Sequence, residues 1–273
     1  MKKTLLILIF ISTGLLAQVE HSHGIVPSGE FPGFFLDAAN FKGKSVEKTR
    51  VDIFLQVPYS NLQFIKTPKG FSAEYTVSLT FYDEDKDNII LERLWNEKIS
   101  ADNFVKASSS KNYKFSYRSF ELPPGDYVLR CNFLDKDSKK DFTLEAKIKV
   151  AEFNKEIQFS DIIFIFSERD GQIIPNVSNT FASVDSTLYF YFEIYAEKKQ
   201  SVSLEFEIKN KEEEILKKEI ADYDLVKGAN QIKYSLDASK ASLGVYKLSI
   251  KVRNEDWDVL VGMSKPFTSK IYG

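Results

Sequence analysis

The sequence predicts an all-β protein of two tandem immunoglobulin-like β-sandwich domains that follow a signal peptide. Apolar and polar residues alternate along most of the chain, in short segments separated by turn residues. Aromatic residues make up 14% of the 273 residues, with 23 Phe and 13 Tyr, and such residues favour pleated strands over helices. The motif Gly-x-Tyr-x-Leu occurs twice, about one domain length apart, which indicates a duplication.

Residues 1–17 have the three-part pattern of a secretory signal peptide. Lys2 and Lys3 begin the chain, residues 4–16 are almost wholly apolar, and Ala17 is the small residue at the expected cleavage point. The apolar run is shorter than the ~20 residues that cross a bilayer, so we expect no transmembrane span after cleavage. An uncleaved anchor or a buried helix is the alternative. The predicted location is the periplasm, the outer membrane or the extracellular space.

The next segment, residues 18–33, is rich in Gly, Pro, Ser and His without periodicity, and we predict a flexible lead-in. It contains both histidines of the chain, His21 and His23. The predicted domains therefore lack the residue that a Ser-His-Asp triad, a Cys-His pair or a His-based zinc site requires. Two histidines on a flexible segment would hold a metal poorly, so we predict no metal site.

The first predicted domain, residues 34–152, contains short segments in which every second residue is apolar. Pro58 cannot donate to a strand ladder, so it marks a strand end or an edge strand. The acidic loop 83–88 joins two strands as a hairpin, and the Pro-Gly turn 122–126 begins a later strand. The predicted strands are 51–57, 71–82, 89–95, 113–118, 127–133 and 142–150.

The second predicted domain, residues 156–270, repeats this pattern, with the boundary between residues 150 and 160. About seven short strands per ~100 residues are typical of an immunoglobulin-like sandwich. A single large barrel is the competing fold. Helical turns are expected only near 100–106 and 237–243. The predicted strands are 161–166, 187–195, 202–208, 215–220, 229–236, 245–252 and 259–267.

Tyr127 and Tyr246 each follow a glycine turn and enter a late strand of their domain. This is the position of a tyrosine corner, in which the hydroxyl group binds the backbone a few residues upstream. We predict that both tyrosines are structural.

The candidate ligand-binding residues are Tyr189, Tyr191 and Tyr195, which share one face of the predicted strand 187–195 with Glu193. The opposite face is wholly apolar. Tyrosine rings suit sugar and protein surfaces, because they offer flat area and a polar tip at low entropic cost. The alternative is that this face packs against the other domain or a neighbouring subunit.

A calcium site is suggested only weakly by Asp83, Asp85 and Asp87, which have the spacing of an EF-hand start. Asn88 stands where the sharp turn needs glycine, and Leu94 stands where a bidentate Glu is needed. We therefore predict a solvated hairpin tip.

Composition also excludes several classes of function. The formal net charge is −2 with no basic block, so we expect no nucleic-acid partner. Cys131 is the only cysteine, so no internal disulfide can form, and its apolar strand face predicts a small buried side chain without a base to activate it. We expect no cofactor.

The amino-acid sequences of several segments resemble the region upstream of the GWxTD domain in GWxTD domain-containing proteins. In the first half these are FLDAANF at 35–41 and VDIFLQVPYSNLQF at 51–64. In the second half they are residues 160–162, 174–176 and 191–195. The resemblance covers nearly the whole mature chain and implies an exported bacterial protein of tandem sandwiches.

The Gly-Trp-x-Thr-Asp motif itself is absent. Trp95 follows Leu94, and Trp257 follows Asp256. No catalytic residue of the family is therefore carried over to this chain.

Three functional hypotheses follow. The first is an exported, non-catalytic binding or assembly module of a bacterial cell envelope, with envelope proteins as partners. The second is a carbohydrate-binding module, or the inactive remnant of a polysaccharide-processing protein, with a glycan as partner. The third, a hydrolase with paired carboxylates, stays open because the pairing is spatial and nothing singles out two of the 39 acidic residues.

Overall fold

The computed structural model describes residues 19–21, 33–182 and 187–270. Nearly all of this part of the chain is β-structure, which confirms the predicted all-β class. The predicted signal peptide, residues 1–17, lies outside the described residues. Among the described residues, no helix is both long and apolar enough to cross a membrane.

The described chain contains nineteen strands, one short α-helix and one turn of 3-10 helix, Tyr59–Asn61. The four-residue helix α1, Phe104–Ala107, lies near one of the two predicted helical turns and starts at Asn103, whose side chain accepts from the amide of Lys106. The strands are β1 (Val19–His21), β2 (Phe35–Lys42), β3 (Thr49–Pro58), β4 (Ile65–Thr67), β5 (Gly70–Asp83), β6 (Ile89–Ala101), β7 (Tyr113–Leu122), β8 (Gly125–Asp135), β9 (Asp141–Val150), β10 (Ile157–Phe159), β11 (Ile163–Arg169), β12 (Gln172–Pro175), β13 (Thr180–Ala182), β14 (Thr187–Ala196), β15 (Gln200–Lys209), β16 (Ile215–Leu225), β17 (Gly228–Asp237), β18 (Gly244–Arg253) and β19 (Val259–Lys270).

The N-terminal half, residues 34–150, packs two sheets around one hydrophobic cluster. One sheet has the order β2-β3-β7, and the other has the order β4-β5-β8-β9 with β6 on the free side of β5. Alternation in β5 sends every second side chain inward, as the periodicity predicts. These inward residues are at most 1% exposed and are Ala73, Tyr75, Val77, Leu79 and Phe81.

The C-terminal half, residues 157–267, is built in the same way around a second cluster. One sheet has the order β10-β14-β11-β12 with β17 paired to β14, and the other has the order β1-β19-β18-β15-β16 with β13 paired to β19. The long strand β14 is fully paired along β17, from Thr187 opposite Asp237 to Ala196 opposite Gly228. It therefore forms the rigid centre of its sheet.

Part of the segment predicted to be a flexible lead-in is a strand. Residues Val19, Glu20 and His21 of β1 pair in parallel with Gly262, Met263 and Ser264 of β19. Without β1 and β13, β19 would be the edge strand of its sheet, and the two short strands pair with the backbone groups on that side. Because β1 has only three residues, its sequence carries no detectable period, and the lead-in prediction missed it.

A third hydrophobic cluster joins the two halves, and we call this contact region the junction. Ala39, Phe41 and Phe54 of the N-terminal half pack there with Ile163 and Val177 of the C-terminal half. The outer face of the β2-β3-β7 sheet thus meets the outer face of the sheet that contains β14.

Candidate functional site

The two faces of β14 have different roles. Leu188, Phe190, Phe192 and Ile194 point into the C-terminal core and are at most 1% exposed. The three candidate tyrosines lie on the opposite face but are not equivalent, since Tyr189 is 53% exposed and Tyr195 only 6%. We call this row of three tyrosines the tyrosine strip; it is exposed at Tyr189 and buried at Tyr195.

Tyr191 and Tyr195 belong to the junction. Both hydroxyl groups donate to the buried carboxylate of Glu193, at 2.6 Å and 2.5 Å. The Tyr195 hydroxyl also accepts a hydrogen bond from the backbone amide of Lys42 in the N-terminal half, at 3.0 Å. Burial, and then the hydrogen bond to Glu193, raise the pKa of each tyrosine, so both hydroxyls stay protonated donors. This end of the strip packs against the other half, which is the alternative recognised from the sequence.

The N-terminal side of the junction supplies a second buried carboxylate. Asp52 accepts a 2.7 Å hydrogen bond from Ser119 and lies 3.4 Å from the guanidinium of Arg50. The same guanidinium lies over the ring of Phe41, 4.3 Å from its centroid. Burial raises the pKa of Asp52 despite these partners. The acidic groups of the junction are thus held by internal hydrogen bonds.

Two further polar links cross the junction, and neither was predicted from the sequence. Lys265 pairs with Asp37, and the side chains of Asn40 and Asp161 bind each other at 2.8 Å. The sequence contains one indication of the Lys265–Asp37 pair. Lys265 shares the alternation of Val261, Met263 and Phe267, and a lysine at an inward position requires a buried partner.

Beyond the junction, Tyr189 lies in a groove of about 660 Å³ that we call the aromatic groove. Phe166, 62% exposed, provides a second accessible ring in this groove, in addition to the 53% exposed Tyr189. Lys233 and Glu168 form an ion pair of 2.8 Å in the lining. The remaining lining residues are Ile165, Ser167, Tyr234 and Ser235.

Phe166 is accessible because of an irregularity in β11. The register between β11 and β12 shifts between Ile165 and Ser167, so alternation is interrupted at this point. Phe164, before the bulge, is 1% exposed in the C-terminal core. Periodicity alone could not identify Phe166 as a surface residue.

Tyr127 and Tyr246 lie where their strands enter the sheets. The Tyr127 hydroxyl donates to the carbonyl of Pro123, four residues upstream, at 2.8 Å. The Tyr246 hydroxyl lies 3.3 Å from the hydroxyl of Ser242, also four residues upstream. The first contact is to backbone and the second is to a side chain, so only Tyr127 ties its turn directly to the main chain.

The remaining sequence candidates are separate from this surface. Asp83 binds both the amide and the side chain of Asn88, which lowers the pKa of its carboxyl group and closes the hairpin. Among the described residues no group of three His, Cys, Asp or Glu side chains could hold a metal ion. Cys131 is buried, and burial raises the pKa of its thiol.

Comparison with known proteins gives only distant structural likenesses. No protein-family model matches the chain, and no curated protein matches it. A β-glucuronidase 2 mutant from Bacteroides uniformis aligns with 85% of this chain and 28% of its own, at 12% identity and a TM-score of 0.31. A transglutaminase from red sea bream aligns with 87% and 31%, at 11% identity and a TM-score of 0.28.

A DUF4785 family protein from Legionella pneumophila aligns with 88% of this chain and 57% of its own, at 9% identity and a TM-score of 0.29. The chain thus spans less than two thirds of the length of each of these proteins. TM-scores of this size establish no shared function.

Proposed function

We propose that the chain is an exported, non-catalytic binding module of a bacterial cell envelope, built from two immunoglobulin-like sandwiches. The aromatic groove is the observation that carries the proposal. Phe166 and Tyr189 expose two large rings in the lining of one groove, and exposed aromatic surface of this kind marks interaction sites. Tyr189 lies opposite Ser235 in the paired strands β14 and β17, and Phe166 lies two residues after Phe164, which pairs with β14. One sheet therefore supports both rings, and a partner would meet a preorganised surface.

The junction supports a role in holding a partner at a fixed orientation. β14 carries Tyr189 in the groove and Tyr195 in the junction, so the groove is connected to the N-terminal half through one fully paired strand. A partner bound at Phe166 and Tyr189 would therefore be held relative to both halves. This property suits an assembly module.

The chemistry of the chain supports a binding role over a catalytic one. His21 ends β1 opposite Ser264, and residues 34–270 contain no histidine. The thiol of Cys131 is buried and stays protonated, because burial raises its pKa. Export is supported by the pattern of residues 1–17 and by the resemblance to the region upstream of the GWxTD domain.

Site-specific photocrosslinking in the cells that make the protein tests this proposal. A photoreactive amino acid replaces Phe166 or Tyr189, and the control position is Leu243, which is 57% exposed outside the groove. We expect the same envelope protein to be crosslinked from both groove positions and not from the control position. Identical crosslinks from all three positions, or none from the groove, would contradict the proposal.

A second candidate function is glycan binding, which the same two rings and the Lys233–Glu168 pair favour. Aromatic rings stack on the apolar faces of sugars, and charged groups bind their hydroxyls. A glycan array separates the candidates: sugar binding lost in Tyr189→Ala but retained in Tyr191→Phe would favour this function. No binding to any glycan would remove it.

A further inference from the structure

A cavity of about 690 Å³ lies between the two halves, beside the junction, and we call it the junction cleft. Its volume is in the ~300–1,000 Å³ range of small-molecule sites. It is separate from the aromatic groove, although the Phe166 ring of the groove packs edge-on against Tyr113 of the cleft, with centroids 5.8 Å apart. The lining residues are Tyr59, Ser100, Ala101, Asp102, Lys106, Lys111, Asn112, Tyr113, Phe115, Arg169 and Ile174.

The cleft carries an excess of positive charge in a chain whose formal net charge is −2. Its lining contains three cations, Lys106, Lys111 and Arg169, and one anion, Asp102. Lys106 is paired with Asp102 at 2.5 Å. Lys111 and Arg169 form no ion pair with any residue in the part of the chain that the structure describes. They come from different halves, so two unneutralised cations line one cavity.

The other lining groups suit a hydroxylated ring. Tyr113 and Phe115 are half-buried and present aromatic surface to the cavity. The side-chain nitrogen of Asn112 donates a hydrogen bond to the carbonyl of Lys106, at 3.1 Å. The side-chain oxygen of Asn112 is left as an acceptor for a ligand. The Asp102 carboxylate is a further acceptor. Acceptors beside aromatic rings recognise hydroxyl groups on a ring with an apolar face.

We infer that the junction cleft binds a carboxylated sugar, that is, a uronate residue of a glycan. The carboxylate would pair with Arg169 and Lys111, the C–H face of the ring would pack on Tyr113 or Phe115, and the hydroxyls would donate to Asn112 and Asp102. An acidic peptide would also use the two cations, and its backbone amides could donate to the acceptors, but its carboxylate-bearing side chains have no C–H ring face to pack on Tyr113 or Phe115. This site is independent of the aromatic groove and of the partner proposed there.

Calorimetry with the linear trimer of galacturonic acid tests the inference on the full mature chain. We expect binding that weakens as salt is added, because the contact includes exposed charges. Arg169→Gln and Lys111→Gln should each weaken binding about tenfold, since each removes a charge-assisted hydrogen bond. Lys227→Gln, at an exposed lysine that does not line the cleft, is the matched control and should leave the affinity unchanged.

The competing outcomes are distinct. Equal binding of maltotriose, an uncharged trimer, would overturn the inference, and so would unchanged uronate binding in the Arg169→Gln, Lys111→Gln double variant. Tighter binding of a hexaglutamate peptide than of the uronate trimer would overturn it in favour of a peptide site. Tyr189→Ser lies outside the cleft and should leave uronate affinity unchanged, so failure of the groove proposal and failure of this one are separable. Thermal melts check that all variants fold.

Discussion

The ammonium group of Lys265 lies 2.7 Å from the carboxylate of Asp37, although 228 residues separate them in the chain. Lys265 is 0% exposed and Asp37 is 4% exposed. Lys265 also donates to the carbonyl of Ile162 at 2.9 Å, and Asn179 donates to the Asp37 carboxylate at 3.3 Å. The pair joins the first strand of the N-terminal half to the last strand of the C-terminal half.

The first prediction concerns this buried pair. Lys265→Met removes the cation and leaves the Asp37 carboxylate buried without its charged partner. We expect a loss of about 3–5 kcal/mol in the free energy of unfolding, measured by chemical denaturation. Lys198→Met is the matched control, because Lys198 pairs with Glu156 at the exposed surface, and such pairs contribute about 0–1 kcal/mol. Equal losses in the two variants would contradict the assignment.

The second prediction concerns the divided tyrosine strip. Tyr195→Phe deletes the hydroxyl that donates to Glu193 and accepts from the Lys42 amide. We expect a loss of about 1–3 kcal/mol, because a buried carboxylate and a backbone amide each lose a partner. Tyr189→Phe should change the free energy of unfolding by less than about 0.5 kcal/mol, since its side chain is largely exposed. Chemical denaturation of both variants measures the two losses. A larger loss in Tyr189→Phe than in Tyr195→Phe would contradict the buried role of Tyr195.

The third prediction compares the two turn tyrosines. Tyr127→Phe should cost about 1 kcal/mol, because the Pro123 carbonyl loses a 2.8 Å hydrogen bond. Tyr246→Phe should cost less, because its hydroxyl contacts only the Ser242 hydroxyl, at 3.3 Å, and that group can turn to water. Thermal unfolding of both variants under one condition ranks them. A larger loss for Tyr246→Phe would contradict the geometry.

The fourth prediction concerns acid stability. Burial alone would raise the pKa of Glu205, but hydrogen bonds from Arg253, Lys218 and Lys251 outweigh it and lower the pKa to about 2, from an ordinary value of 4.5. The folded-state pKa thus lies below the unfolded one. This contribution, roughly 2–3 kcal/mol, is complete above pH 4.5 and is lost as the pH falls toward 2.

Denaturation between pH 7 and pH 2 measures this effect in Glu205→Gln. We expect the variant to be less stable at pH 7 and to show a shallower decline below pH 4.5 than the parent protein. Glu212→Gln, at an exposed loop position, should keep the parent's slope. An unchanged slope in Glu205→Gln would show that this carboxylate does not carry the effect.

Local patterns predicted the strands well, because alternation depends only on neighbouring residues. The inward residues of β5 and β14 follow from period two, and the all-β class follows from many such segments. Six strands were not predicted: β1, β2, β4, β10, β12 and β13. β1 and β13 have three residues each and pair with β19, so their structure depends on a distant strand and not on their own sequence. The eight-residue β2 is buried on both faces, so its apolar residues do not alternate with polar ones.

The candidate site was predicted in part. The sequence identified the tyrosine face of β14, but it could not distinguish Tyr189 from Tyr195. Their difference arises from the N-terminal half, whose Lys42 lies 153 residues before Tyr195 in the chain. Phe166 was missed because the bulge in β11 changes its direction.

By itself, the amino-acid sequence determined the strand periodicity, the inward and outward faces and the absence of histidine from residues 34–270. Only the tertiary structure decided which outward residues stay accessible, which polar residues are paired across the junction, and that Lys111 and Arg169 line one cleft. The physical reason is that side-chain direction in a strand follows from the local backbone, whereas burial and charge pairing depend on contacts between residues far apart in the chain.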